Sequence, residues 1–81
     1  MASRHENLAR RIVREIWAFT GGYAGRWAMV NSIARRLLLR DPKEVAGAIA
    51  LAKERGWIEV EMHSVRLTQA GRSLLAGDAK R

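Results

Sequence analysis

The chain has 81 residues, 48 % of them hydrophobic and 28 % charged, and no cysteine. A chain of this length buries roughly 60 % of its extended surface, which allows one modest core and a single domain over residues 1–81. The composition excludes disulfides and thiolate metal sites, no apolar run approaches the ~20 residues of a membrane span, and the net charge of +7 points to a polyanionic partner.

Twelve of the fifteen cations are arginine, whose planar guanidinium holds a phosphate through two parallel hydrogen bonds. An arginine-rich composition that merely covers exposed helix faces would give the same total. The first residues lack the apolar stretch of a secretory leader, which together with the missing cysteines predicts a cytoplasmic protein.

Over residues 3–20, Leu8, Ile12, Ile16 and Phe19 share one helical stripe widened by Ala9, Val13 and Trp17, while Arg4, Arg10, Arg11 and Arg14 fall opposite. Ser3 and Glu6 have capping-box spacing, and Gly21-Gly22 ends the helix. Residues 26–30 read as a short extended segment. Asn31 or Ser32 then caps a second helix that ends near Leu39, with Ile33, Ala34, Leu37 and Leu38 inward and Arg35 and Arg36 outward.

Asp41 is the expected N-cap and Pro42 the first-turn proline of a third helix, in which Val45, Ala48, Ile49 and Ala52 form a stripe before a C′ glycine at Gly56. Trp57–Glu61 and Val65–Thr68 alternate apolar and polar residues about a Met62-His63-Ser64 tip, the pattern of a hairpin with Trp57 and Ile58 in the core at its base. Thr68 caps a last helix, Gln69–Ala76, stopped by Gly77 and followed by a frayed tail, Asp78–Arg81. The fold class predicted is α+β, mainly α with a small β-hairpin.

The segment Ile33-Ala-Arg-Arg-Leu37 resembles the second helix of MarR-type and related bacterial transcriptional regulators, and Lys53-Glu-Arg-Gly-Trp-Ile58 resembles the exit of their recognition helix into the wing. Val65-Arg-Leu-Thr-Gln-Ala-Gly-Arg-Ser-Leu-Leu75 is similar to the segment that closes the wing. The resemblance covers residues 32–75 and implies a winged helix-turn-helix, a three-helix core plus wing and a short C-terminal helix. Its parts would be the helix-turn-helix at about 31–56, the wing at about 57–68 and the last helix at about 69–76.

It further implies double-stranded DNA as partner, bacterial nucleoid association, and a recognition helix at about 42–55 in the major groove. Arg35, Arg36, Arg40 and Lys43 would hold phosphates, Glu44 and Gly47 would lie on the side turned to the bases, and His63, Ser64 and Arg66 would rest on the neighbouring backbone. Leu38 stands where the family often carries glycine, and Ala46, Gly47 and Ala50 stand where base-reading side chains are usual.

A second reading keeps the fold as a protein-interaction module, its small uncharged surface of Ala46, Gly47 and Ala50 meeting another helix. Trp17, Tyr23 and Trp27 lie around one joint and suit a homodimer or partner patch, or else fill the core. An enzyme is not expected: there is no glycine-rich phosphate loop, and His5 and His63 lie far apart without a nucleophile set around them. Two such histidines make no metal site, and no cofactor is expected.

Overall fold

The computed structural model describes residues 4–23 and 25–79. Their order is α1 (Arg4–Thr20), β1 (Ala28–Met29), α2 (Val30–Arg36), α3 (Pro42–Glu54), β2 (Ile58–Glu61), β3 (Ser64–Leu67) and α4 (Gln69–Ala79). The chain is therefore mainly helical with a small antiparallel sheet, as its patterning predicts. Among the described residues no helix is long and apolar enough to cross a membrane. Ser3 of the expected capping box and the tail residues Lys80 and Arg81 lie outside the described residues.

The apolar stripe of α1 is buried as its spacing requires, with Leu8, Ala9, Ile12, Val13 and Ile16 all inside. Each isoleucine fully withdrawn from water contributes about 2 kcal/mol. Phe19, expected in the same stripe, is instead 45 % exposed and lies beneath the Arg36 guanidinium, 5.6 Å from its ring centre. In the last turn the inward position after Ile16 is taken by Thr20, which is buried and donates its hydroxyl to the Ile16 carbonyl, so Phe19 beside it meets solvent.

Three of the four helices are joined to the next segment by the same device. At the end of α1 the Gly22 N–H donates to the Trp17 carbonyl (2.8 Å), at α2 Leu39 donates to Ala34 (2.9 Å), and at α3 Trp57 donates to Ala52 (3.0 Å). Each is the six-residue closure of a Schellman motif, which needs one residue with positive φ just past the helix. That residue is Gly21 (φ 70°) after α1 and Gly56 (φ 77°) after α3, but Leu38 (φ 58°) after α2. Leu38 therefore performs a glycine's task with a branched side chain that is 83 % exposed, not inward as its place in the apolar pattern suggests. The motif also closes α2 at Arg36, earlier than expected.

At its other end α2 begins at Val30, so Asn31 and Ser32 lie inside the first turn and neither caps it. The Val30 N–H donates to the carbonyl of His63, at the tip of the β2–β3 hairpin, at 2.8 Å. By contrast α3 starts as its sequence requires, with Pro42 in the first turn and the Asp41 carboxylate accepting from the Lys43 N–H at 3.0 Å.

The sheet order is β1-β3-β2. Ala28 pairs with Val65 and Met29 with Ser64, so the short extended segment joins the hairpin as a third strand. The hairpin loop contains only Met62 and His63, because Ser64 already pairs with Glu61. The sheet's inner face carries Ala28, Ile58, Val65 and Leu67, all buried, with Trp57 at the hairpin base.

Thr68 joins three elements. Its hydroxyl donates to the Gly56 carbonyl and accepts from the Gly71 N–H (3.1 Å), which caps α4 as expected, while its own N–H donates to the Trp57 carbonyl (3.1 Å). A Cβ on Gly71 would stand 2.2 Å from that same Trp57 carbonyl oxygen. Past this point α4 runs through Gly77 to Ala79 and does not stop at Ala76.

Two substitutions probe these joints. Gly71→Ala drives a methyl into backbone and should lower the unfolding free energy by roughly 3 kcal/mol in a urea titration. Leu38→Gly relieves the left-handed leucine and should raise it by about 1 kcal/mol.

Candidate nucleic-acid interface

Besides its buried stripe of Val45, Ala48 and Ala52, α3 has two further sides, and they are chemically unlike. One is turned to the start of α1. There Glu44 pairs with Arg4 (2.9 Å), and a Cβ on Gly47 would meet the His5 imidazole at 3.2 Å. Just past the helix Arg55 pairs with Glu6, also at 2.9 Å. Residues two apart on α1 thus reach groups eleven apart along α3, from 44 to 55, so α1 crosses α3 and does not run alongside it. Glu44 and Gly47 belong to this intramolecular contact, which corrects their expected place on the outward side.

The second side forms the floor of an open groove of about 510 Å³. Ala46, Ile49 and Ala50 make the floor and Lys53 closes it at the far end. One wall comes from α2 and the turn after it, through Val30, Ala34, Leu39 and Arg40. The other is the hairpin, through Val60, Met62 and His63. Ile49, expected in the core, is half-buried because this side of α3 has no element packed over it. No aspartate or glutamate among the described residues lines the groove.

The remaining residues expected to touch DNA divide sharply. Arg36 pairs with Glu15 on α1, and Arg66 makes two hydrogen bonds of 3.1 Å to Glu59, its ladder neighbour, under the Trp27 ring at 4.6 Å. Ser64 is half-buried in the ladder. Arg35, Arg40, Lys43 and His63 keep exposed side chains. Arg35, Arg40, Lys43 and Lys53 make no ion pair to a described side chain. Lys53 is not among the contacts expected from the sequence, although it follows Ala46 and Ala50 by seven and three residues on one helical stripe.

The aromatic joint divides between the two expectations, with Tyr23 and Trp27 exposed and Trp17 partly buried. Trp17 is half-buried, stacked over Gly22 and beneath the Arg72 guanidinium, whereas Tyr23 is 67 % exposed and Trp27 sits at the sheet edge under Arg66. No group of three or more metal-ligating side chains occurs among the described residues.

Gly47→Ala tests the placement of this side of α3. The exposed His5 ring swings aside for the methyl and a helix interior gains alanine for glycine, so stability should rise by about 0.5 kcal/mol in thermal unfolding, and affinity for any DNA should not change. Comparison with protein-family models, with curated proteins and with solved structures finds no match to this chain.

Proposed function

We propose that the chain is a winged helix-turn-helix domain that binds double-stranded DNA, with α3 as recognition helix and the β2–β3 hairpin as wing. The element order, the five-residue turn from 37 to 41 between α2 and α3, and the antiparallel hairpin after α3 support this reading. The observation that carries it is electrostatic. Arg40 and Lys53 line a groove that no described carboxylate lines, Arg35 and Lys43 are exposed on the neighbouring turns of α2 and α3, and none of the four has an acid partner among the described residues.

Lys43 and Lys53 lie ten residues apart on α3, about 15 Å along the axis. The B-DNA major groove is about 12 Å wide, so the two ammonium groups reach phosphates on its opposite sides. Arg35 and Arg40 extend the contact along one strand. Between the lysines the outward residues are Ala46 and Ala50, which offer bases no hydrogen bond and at most an apolar contact with a thymine methyl. Affinity is then phosphate-driven and weakly sequence-dependent, as suits a protein of the bacterial nucleoid.

Fluorescence anisotropy on a short duplex at several salt concentrations tests this. Four neutralised phosphates give a slope of log K against log salt near about −3.6. Lys53→Ala and Arg40→Ala should each make the slope shallower by about 0.9 and weaken binding to all sequences alike. Arg36→Gln and Arg66→Gln should leave it unchanged. A folded protein that does not bind DNA at low salt overturns the reading.

A specific observation favours the second reading as well: the centre of this face is an apolar concavity, which is suited to a protein ligand. The exposed Tyr23 and Trp27 remain the candidate residues for a homodimer, with the half-buried Trp17 beside them.

A further inference from the structure

We infer that the groove between α2, α3 and the hairpin seats an amphipathic helix of a partner protein, one whose apolar stripe is flanked at both ends by acidic residues. This rests on the protein-interaction reading, and it adds the chemistry of the partner. The groove has the shape for a helix. Its floor is low because Ala46 and Ala50 carry only methyl groups, and its walls stand higher because Val30 on one side and Met62 on the other carry longer chains. Its volume of about 510 Å³ is that of a ligand cleft, roughly 300–1,000 Å³, and leaves room for a row of apolar side chains. No described segment of the chain covers it.

Charge selects the occupant. Arg40 stands before the first turn of α3 and Lys53 in its last turn, thirteen residues or roughly 20 Å apart. His63 adds a third donor on the hairpin side. With no acid between them, the two cations match carboxylates spaced three to four helical turns apart. A second copy of this chain would bring its own charge of +7 to the same face. A DNA duplex would satisfy the same cations but offer the apolar floor little beyond a thymine methyl.

The hairpin wall is built for contact. Met62 is 88 % exposed and held at φ 54° in the first position of a two-residue loop, a conformation usually left to glycine. An exposed methionine in a strained turn is adaptable apolar surface at the mouth of the groove. The helix and DNA both draw on Arg40 and Lys53, so each excludes the other.

The probe is a designed helical peptide of about sixteen residues with leucines three and four apart and glutamates at both ends, compared with the same peptide ended by lysines. It is titrated into the labelled full chain without DNA, with the amide resonances of Ala46, Ile49 and Ala50 as readout. The acid-ended peptide should bind at least about tenfold tighter than the lysine-ended one. Ala50→Glu, at an exposed position that keeps the helix intact, should weaken it by about tenfold or more. Lys53→Glu should weaken the acid-ended peptide about fivefold and strengthen the lysine-ended one by a similar factor. Equal binding of the two peptides, no binding of either, or indifference to Ala50→Glu overturns the inference. DNA binding measured on the same sample stands or falls separately.

Discussion

The close approach of α1 to α3 is the constraint on which the other elements depend. Ala9, Ala48 and Ala52 are wholly shut off from solvent, and side chains without a second carbon allow the two helices to cross almost backbone to backbone. The larger residues of α1, Ile12 and Ile16, are then free to meet α2 and the sheet, and so one helix supports the other three helices and the β1 and β3 strands of a small core. A bulkier residue in this seam would separate α1 from α3 and withdraw α1 from β3 as well. The salt bridges on the two sides of the crossing are largely solvent-exposed on their arginine side and guide the crossing more than they stabilise it.

Much of this is legible in the sequence wherever the determinants are local. Both ends of α3, the cap at Thr68 and the burial of Trp57 and Ile58 depend on residues close by in the chain. The start of α2 depends on a carbonyl thirty-three residues away, from 30 to 63, and β1 on ladder partners thirty-seven and thirty-five residues away, from 28 to 65 and from 29 to 64. The extended backbone of residues 26–30 is legible locally, but the partners of β1 and of the α2 start are not. Glu44 and Gly47 escape for a different reason: helical periodicity treats the positions of α3 outside its buried stripe as a single outward face. The start of α1 covers Glu44 and Gly47, and periodicity alone does not tell a side packed against an arginine-rich helix from one open to solvent.

The positive charge is also differently distributed than the total suggests. Arg10 and Arg55 both lie over the Trp57 ring, at 5.5 and 5.7 Å, and Arg26, Arg36, Arg66 and Arg72 lie over Tyr23, Phe19, Trp27 and Trp17. A guanidinium is weakly hydrated and flat, so it covers the face of an aromatic ring. A large part of the arginine excess is therefore covering for aromatic rings, of which only Trp57 is buried in the core. The cations left for a partner are fewer: Arg35, Arg40 and Lys43 lie where α2, the turn and α3 meet, Lys53 lies in the last turn of α3, and Arg11 and Arg14 lie on the exposed side of α1.

The hydrogen bond from Val30 to His63 has a consequence for how fast this face can be used. It links the first turn of α2 to the tip of the hairpin, so the two walls of the groove are fixed to each other before any ligand arrives. A ligand meets a mouth of set width and needs no loop to fold around it, and association is then limited by diffusion and charge steering. The lifetime of the complex, set by how well the apolar floor is filled, is left to distinguish one partner from another.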